Sequence, residues 1–563
     1  MRFEMRLAKA LILAGALVVA SCEDPSQGTG IITGPVNPTP EPPSEEVRIP
    51  DYEDDYSAIA GWNNHSKWNL ANVHDPSIAY YDGYYYMYCT DASYGNEHLK
   101  ATKGKHFPGK RSKDLVNWEY VPGPMNEAPA WVADSLNSIR KRMGVPAIEK
   151  NKISYGYWAP VIREVDGKLR MYYCIVIDNS IKTGGVGFDG SWTERAFIGM
   201  CETTDPASGN WEDKGFVTCS SSDRGRDGWK RPNENNWDGY FYYNAIDPTY
   251  LVDDPSGKHY LIYGSWHSGF ALLEIDPASG KPVNAPLGDP WADNVSDLTA
   301  RYGIRVGTRT ASSRWQGSEA PEVIYKDGYY YLFMAYDGLD VPYNTRVVRS
   351  EKIEGPYYDI TGRNFTNGRG DCYPIVTHPY RFNYSYGWVG IAHCCVFPEH
   401  NGDGWFYSSQ GRLPANVGGN AYSNAIMMGH VRRIVWCPAS ADEPNNLWPI
   451  ALPERYAGLP EKAITKDDLV GSWEHINLQY KYAEQQTSKE LVLKADGTMV
   501  GALKGTWTFD PAKKWLTFDV DGVKTVVCVE WEADWEATPR VATVVYAGTH
   551  KDMKSTWWGK KVQ

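Results

Sequence analysis

The sequence predicts an all-β protein, a five-bladed β-propeller followed by a small C-terminal β-barrel domain, and three observations lead to this fold class. A hairpin motif occurs five times, its spacing is regular, and helical periodicity is almost absent between the copies. The chain has 563 residues, which is too long for one ordinary hydrophobic core and therefore predicts two or more domains.

Each repeat consists of a strand, a turn with glycine near aspartate or asparagine, and a second strand rich in tyrosine and β-branched residues. The first copy is YYDGYYYMYCT, which begins at Tyr80. The turn glycines are spaced by roughly 70 to 90 residues, as expected for repeated sheet units; they are Gly83, Gly167, Gly257, Gly328 and Gly404. Units of this length match propeller blades, and five copies predict five blades within residues 51–460.

A short motif precedes each hairpin, and the five motifs read VHDPS, YWAPV, AIDPT, SEAPE and GIAHCC. Their spacing follows the blade period, which predicts the same place on the first strand of every blade, next to the central axis. Proline follows the motif residue in four of the five, as at a strand that begins at the rim of a sheet. The side chains expected to meet at one end of the axis are those of Asp75, Trp158, Asp247, Glu319 and His393.

Three of these side chains are carboxyl groups, those of Asp75, Asp247 and Glu319. One such acid alone is best explained by a turn, where aspartate is common. Three acids at equivalent blade positions, beside a tryptophan and a histidine, favour a functional site. Clustered acids repel each other, which raises the pKa of at least one and keeps it protonated near neutrality. A protonated acid opposite an ionised one is what acetal hydrolysis requires.

The N-terminus predicts export from the cytoplasm. Residues 1–21 have a basic start, an apolar stretch of signal-peptide length and a small-residue exit. The exit VASC has the form of a bacterial lipoprotein box, which predicts lipid on Cys22; an ordinary secretory signal is the alternative. Residues 22–50 are rich in proline, glycine and acid and predict a flexible tether. We expect a bacterial outer-membrane lipoprotein at the cell surface or the periplasmic face, bound to the membrane only through its lipid.

Composition excludes some classes of function. The formal net charge is −12 and the isoelectric point is near 5.6, so a nucleic-acid partner is not expected. The nine cysteines after Cys22 are an odd number and include no CxxC pair, which argues against a zinc site.

Residues 464–563 alternate strands with turns such as KADGTMVG and DVDGVKTVV, which predicts the barrel domain.

The axial motifs VHDPS, YWAPV, NAIDPTYL and SEAPEVIYKDGYYYLF, with SKDLVNWEYVP in the first blade, resemble glycoside hydrolase family 43, a family of five-bladed propellers. Within this family the chain resembles the endo-α-1,5-L-arabinanases, because of the GIAHCC histidine, LPERYAG at Leu452 and the C-terminal β-domain. The resemblance extends over most of the chain from about residue 65.

The resemblance implies a role for each acid. Asp75 matches the general base that activates water, Glu319 matches the general acid, and Asp247 matches the acid that raises the pKa of the general acid and orients it. Family members invert the anomeric centre, so Asp75 and Glu319 are expected roughly 6.5–9.5 Å apart. Glu322 is the alternative acid, but its odd offset from Glu319 on a strand places it on the opposite face.

The resemblance also implies ligand contacts. His393 matches a residue that holds a hydrated calcium ion (Ca²⁺) in arabinanases, although calcium prefers oxygen ligands. The residues expected to contact substrate are Trp158, Gly199, Asn244, Ser265 and Trp266. Either tryptophan could instead pack within its blade, and Arg163 and Arg314 are expected in ion pairs at the rim.

The expected function is therefore endo cleavage of α-1,5-L-arabinofuranosidic linkages in plant arabinan or arabino-oligosaccharides by a monomeric enzyme. One alternative is an exo-acting arabinofuranosidase or xylosidase of the same fold, which uses the same acids and differs in its loops. The other is a non-catalytic glycan-binding propeller, which would not need three acids.

Overall fold

The structure is a computed structural model that describes residues 49–562 apart from positions 51, 53, 55–57, 92–103, 178–194, 223–241, 285–289, 310–316, 340, 369, 383–384 and 415–426. The predicted signal peptide and lipidation site at Cys22, most of the predicted tether, and Arg314 lie outside the described residues. Every described residue belongs to one compact unit, Arg48–Gln563. No described helix is both long and apolar enough to cross a membrane.

Five four-stranded antiparallel sheets form the predicted propeller. Blade 1 contains β1 (Ser77–Tyr81), β2 (Tyr84–Tyr88), β3 (Gly109–Ser112) and β4 (Glu119–Val121). Blade 2 contains β5 (Gly156–Val165), β6 (Lys168–Val176), β7 (Ala196–Thr203) and β8 (Glu212–Cys219). Blade 3 contains β9 (Thr249–Asp253), β10 (Lys258–Tyr263), β11 (Phe270–Ile275) and β12 (Ile304–Gly307).

Blade 4 contains β13 (Ser318–Lys326), β14 (Tyr329–Tyr336), β15 (Asn344–Ser350) and β16 (Ile375–Thr377). The short strand β17 (Tyr380–Arg381) follows, and blade 5 contains β18 (Cys395–Pro398), β19 (Trp405–Gly411), β20 (Met428–Ser440) and β21 (Glu443–Ala451). Helix α1 (Ala130–Arg142) lies between blades 1 and 2, and α2 (Val295–Tyr302) lies within blade 3. Three 3₁₀ turns span Trp62–Lys67, Lys150–Lys152 and Pro206–Ser208.

Four of the five predicted turn glycines have the left-handed backbone that only glycine adopts without strain; in the first turn φ is 84° at Gly83. Gly404 does not. Pro398 pairs with Trp405 across a longer turn, and Asn401 takes the left-handed conformation there with φ of 62°. In blade 5 asparagine, which tolerates this backbone, therefore takes the left-handed position, and Gly404 lies at the end of the turn, directly before β19.

The residues before β1 close the ring of blades. Ala71 forms a bridge with Met428 of blade 5, and the Val73 amide donates to the Met427 carbonyl at 3.1 Å. Between the first strands of these blades, the Ile78 amide donates to Cys395 Sγ at 3.3 Å. Blades 1 and 5 are thereby joined at the axis and away from it.

The C-terminal domain opens with helix α3 (Lys466–Leu469) and is a closed barrel of eight antiparallel strands, as predicted. The strands are β22 (Gly471–Leu478), β24 (Lys489–Leu493), β25 (Thr498–Gly501), β26 (Gly505–Asp510), β27 (Trp515–Val520), β28 (Val523–Asp534), β29 (Val541–Thr549) and β30 (Thr556–Lys561). The two-residue strand β23 (Gln486–Thr487) lies outside the barrel and pairs in parallel with β17.

Propeller and barrel share a hydrophobic core. Trp388 and Ile450 of the propeller and Ile476 and Trp558 of the barrel belong to one cluster of buried side chains. The nine cysteines after Cys22 are all free and buried, and two of them meet at this interface, where Cys437 Sγ lies 3.1 Å from Cys528 Sγ. The barrel is therefore packed into the propeller and is not a separate appendage.

A buried ammonium group also joins the two domains. Lys560 Nζ lies 3.1 Å from a carboxylate oxygen of Glu454, which follows the last propeller strand. It lies 3.6, 2.7 and 2.5 Å from Glu474, Asp534 and Glu536 of the barrel. Only 1% of the Lys560 side chain is exposed, so water can screen these charges very little.

We expect Lys560→Met to lower the free energy of unfolding by about 3–5 kcal/mol, because it leaves buried carboxylates without their cation. Urea denaturation followed by tryptophan fluorescence measures the change. The control is Lys554→Met at an exposed position, expected to change stability by less than about 0.5 kcal/mol. Equal stability of the two variants would contradict this role of Lys560.

Candidate active site

A left-handed backbone conformation recurs at the start of the first strand in every blade. The φ angles are 50°, 40°, 54°, 53° and 54°, in the order Asp75, Ala159, Asp247, Ala320 and His393. Five non-glycine residues in this sparsely populated region mark one repeated structural position, and such strain clusters at functional sites.

This repeated position corrects the sequence prediction in part. Asp75, Asp247 and His393 occupy it, but Trp158 and Glu319 each lie one residue ahead of it. The reason is local: β5 and β13 begin earlier than the other first strands and change register where the Ala-Pro pair is inserted, between Trp158 and Val161 and between Glu319 and Glu322. Glu319 therefore enters the site from a different backbone position than the two aspartates.

Asp75 is buried and held by four groups. Its Oδ1 lies 2.8 Å from His393 Nδ1, and its Oδ2 lies 2.8 Å from His74 Nδ1. The Thr90 hydroxyl donates to Oδ2 at 2.5 Å, and the Asp75 amide donates to Gln410 Oε1 at 2.8 Å. Burial alone would raise the pKa of Asp75, but His393 and His74 outweigh it and hold the pKa well below its usual range. Asp75 is therefore ionised.

Glu319 is equally buried and accepts three hydrogen bonds. Tyr343 donates to Oε1 at 2.5 Å, the Trp266 indole donates to Oε2 at 2.6 Å, and the Ser265 hydroxyl donates to Oε2 at 3.2 Å. Burial raises the pKa of Glu319 above its ordinary value, and its hydrogen bonds and the charge of His393 offset this only in part. Glu319 therefore keeps a proton more readily than Asp75.

Asp247 completes the group. Its Oδ2 accepts a hydrogen bond of 3.2 Å from the amide of Ala320, the residue after Glu319. Burial raises the pKa of Asp247 to about 8; His393 opposes the rise, and the charges of Glu319 and Asp75 add to it. The three predicted acids thus lie within each other's electric field, with one strongly acidic member and two that tend to stay protonated.

Glu322, the alternative acid, has a different role. Its Oε1 lies 2.7 Å from Arg163 Nη2 and accepts from the Val396 amide at 3.1 Å, while its Oε2 accepts from Thr249 at 2.6 Å. These partners belong to the first strands of blades 2, 5 and 3. Glu322 therefore links four blades at the axis, and the ion pair expected for Arg163 exists in this link, with both side chains largely buried.

The predicted substrate contacts fall into two groups. Ser265 and Trp266 touch Glu319, as described above. Asn244 is buried and its Oδ1 accepts from Ser220 at 3.0 Å. Its Nδ2 has no partner within the described part of the chain but is itself buried, so its predicted substrate contact stays a prediction. Trp158 is partly exposed at the start of β5, as a stacking surface would be.

Gly199 is not brought to the acids. It lies in β7, the third strand of blade 2, between Tyr173 and Phe216 of the flanking strands. A Cβ atom at this position would lie 2.6 Å from Trp131 and from Tyr173, which cover it. Its close packing explains the glycine, and its predicted substrate contact stays a prediction.

Sequence reasoning missed four partners of the acids: His74, Thr90, Tyr343 and Gln410. Thr90 and Gln410 occupy equivalent places in blades 1 and 5. The first residue of β1 pairs with Tyr88 and the first residue of β18 pairs with Ser408, and each polar residue lies two positions after that partner. In blade 1 the available signal was a polar residue, Thr90, at the end of an apolar, tyrosine-rich run; the two serines before Gln410 hide it in blade 5. Tyr343 lies on a connection between strands and carries no repeated pattern.

The residues present do not form a calcium cage at His393. Its Nδ1 is engaged by Asp75, and calcium takes six to eight oxygen ligands. Within the described residues, the one acidic cluster with metal-ligand spacing is Glu454, Asp534 and Glu536, where the ammonium of Lys560 already takes the cation position. We therefore derive no chemical step through a metal.

The sequence model of glycosyl hydrolases family 43 matches residues 70–436, which include every residue of this site. The chain belongs to glycosyl hydrolase family 43. A second model, of a C-terminal lipocalin-like domain, matches residues 453–559 and covers the barrel. The family-43 chain is 25% identical over 483 residues to an extracellular endo-α-(1→5)-L-arabinanase of Thermotoga petrophila, across 81% of this chain and 86% of that protein.

Two further curated relatives differ in their named action. The chain is 25% identical to extracellular endo-α-(1→5)-L-arabinanase 2 of Bacillus subtilis, over 77% of this chain and 82% of that one. It is 27% identical to an extracellular exo-α-(1→5)-L-arabinofuranosidase of Cellvibrio japonicus, over 57% and 74%. The crystal structure of a Thermotoga petrophila endo-1,5-α-L-arabinanase has the same fold, with a TM-score of 0.63 at 21% identity, over 88% of this chain and 99% of that chain.

We expect Thr90→Val to lower hydrolytic turnover about 10- to 100-fold, the effect of losing one hydrogen bond to a charged group. The Thr90 hydroxyl orients Asp75 and accepts from the Ala159 amide at 2.7 Å, so the variant loosens Asp75 without changing the acid itself. Thr90→Ser, which keeps the hydroxyl, is the matched control. Equal turnover of the valine and serine variants would show that this bond does not matter.

Proposed function

We propose that this family-43 hydrolase cleaves α-1,5-L-arabinofuranosidic linkages within arabinan chains, with inversion of the anomeric centre. The observation that carries the proposal is the pairing of an ionised acid, Asp75, with an acid of raised pKa, Glu319, at one end of the propeller axis. The names of the relatives support arabinan as the substrate.

In this proposal Asp75 draws a proton from a water molecule that attacks the anomeric carbon, and Glu319 gives its proton to the departing glycosidic oxygen. Asp247 supports the second step, because its own bond to the Ala320 amide fixes the backbone next to Glu319. Trp158, which is partly exposed, is the side chain best placed to stack on the sugar, whereas Asn244 would hydrogen-bond it only once its buried amide becomes accessible.

Inversion requires room for the water molecule between the two carboxyl groups. No hydrogen bond joins Asp75 to Glu319 among the described contacts, and each is held by its own set of partners. The two groups therefore do not share a hydrogen bond, and the separation of roughly 6.5–9.5 Å that an inverting pair needs stays a prediction.

Exo action is the second candidate. The likeness to the exo-acting Cellvibrio japonicus enzyme favours it, since the same acids serve both modes and the identity is similar to that of the endo-acting relatives. We place endo action first because the endo-acting relatives match across the barrel as well as the propeller, over 81% and 77% of the chain.

We also infer an exported lipoprotein with lipid on Cys22, supported by the VASC exit and by relatives named extracellular; the monomeric state stays a prediction. The mass of the N-terminal peptide of the mature protein tests the lipid.

The wild-type protein is expected to release oligosaccharides of mixed length from linear arabinan, with little action on p-nitrophenyl arabinofuranoside. Asp75→Asn and Glu319→Gln remove the base and the acid, so each is expected to reduce turnover at least about 10³-fold while circular dichroism stays unchanged. Chromatography of the products measures both.

The matched control is Asp254→Asn, an exposed acid that follows the first strand of blade 3 and takes no part in the site. It is expected to retain wild-type turnover. Release of monosaccharide alone would replace endo with exo action, and a wild-type protein as inactive as Glu319→Gln would favour a glycan-binding module.

His393→Ala is expected to lower turnover by about 10- to 100-fold, because the imidazole that holds Asp75 Oδ1 is lost. We expect this loss with and without a chelator. Metal analysis of the purified protein tests calcium separately: bound calcium that disappears in the variant, and wild-type activity that falls on chelation and returns with calcium, would support the calcium prediction. Unchanged activity of the variant would refute the role of His393.

A further inference from the structure

We propose that Tyr480, on the connection between β22 and β23 of the C-terminal domain, is a positioning residue for Glu319. The barrel domain thereby becomes part of the active-site assembly. This inference rests on the proposed function, in which Glu319 protonates the leaving oxygen.

Tyr480 binds a buried carboxylate of the propeller. Its hydroxyl donates to Asp337 Oδ2 at 2.8 Å, and its ring faces the guanidinium groups of Arg346 and Arg309, at 4.9 and 5.9 Å from the ring centroid. Asp337 lies directly after β14 and is 7% exposed. If it loses a hydrogen-bond donor, water therefore cannot take that donor's place.

A first route leads from Asp337 to one oxygen of Glu319. The Asn344 side-chain amide donates to Asp337 Oδ2 at 3.2 Å and to the carbonyl of Pro342 at 2.9 Å. It therefore fixes the chain on both sides of Tyr343. The Tyr343 hydroxyl is the donor to Glu319 Oε1.

A second route leads to the other oxygen. Asp337 Oδ1 lies 2.6 Å from Arg309 Nη1, which also donates to the Gly317 carbonyl at 3.1 Å. Gly317 packs against the indole of Trp266, where a Cβ atom would lie 2.6 Å from the ring. That indole is the donor to Glu319 Oε2. Both oxygens of Glu319 are thus held by donors whose positions depend on Asp337.

The connection that carries Tyr480 is fixed to the propeller. The Lys481 amide donates to His378 Nε2 at 3.3 Å, and Gln485 Nε2 donates to the carbonyls of Tyr380 and Tyr386 at 3.0 and 3.1 Å. The pairing of β23 with β17 follows at once. Tyr480 is therefore held at Asp337 by contacts on its own connection.

Tyr480→Phe removes one hydroxyl and keeps the ring and its packing. We expect kcat for arabino-oligosaccharides to fall on the order of 10-fold at unchanged KM, because the alkoxide leaving group needs a well-placed proton donor. For a 2,4-dinitrophenyl arabino-oligosaccharide, whose leaving group departs without protonation, we expect a change of less than about twofold.

The matched control is Tyr482→Phe, two residues away and 66% exposed, which is expected to behave as wild type on both substrates. Thermal unfolding of each variant checks the fold. An unchanged kcat of Tyr480→Phe, or equal losses on the two leaving groups, would overturn the role of Tyr480. A wild-type protein inactive on both substrates would instead overturn the proposed function, so the two failures are distinguishable.

Discussion

Three carboxyl groups buried together at one end of the propeller axis are the constraint on which this structure depends. A buried charge is costly unless the protein supplies cations and hydrogen-bond donors. The supporting groups are distributed unequally: two imidazoles and a hydroxyl lie against Asp75, Glu319 accepts from uncharged donors alone, and Asp247 accepts from a single backbone amide. This inequality separates the protonation states of chemically similar groups, because the best-supported acid ionises and the others tend to keep their protons.

The backbone that presents these groups is itself strained. A left-handed conformation at a non-glycine residue costs of the order of 1–3 kcal/mol and persists only where the surroundings impose it. Glu322 contacts Arg163, Thr249 and the Val396 amide a few residues further along the first strands than the left-handed residues. These buried contacts join four first strands. We interpret it as the structural element that holds the strained ends of the first strands in register.

Sequence reasoning succeeded where local chemistry is repeated. Glycine turns recur with the blade period, and proline follows the motif residue in four of the five axial motifs; these repeats predicted the propeller and the meeting of the three acids, and separate Asp-Gly turns predicted the barrel. It failed where a feature breaks the repeat, as at the one-residue offset of Glu319, which depends on a strand bulge. It also could not find Gln410 or Tyr480, because each reaches its partner across a long stretch of chain, 335 residues in the first case and 143 in the second.

The base and the acid are held by different parts of the molecule. The side chains that hold Asp75 come from blades 1 and 5, and those that hold Glu319 come from blades 3 and 4. Because no partner is shared, the distance between the two carboxyl groups is set by the closure of the ring and not by the flexibility of either side chain. Closure depends on the contacts of residues 70–73 with blade 5, in the segment that leads directly into His74 and Asp75. A hydrolase that must leave space for one water molecule gains from this arrangement, since rigid sheets fix a separation that two flexible side chains would not.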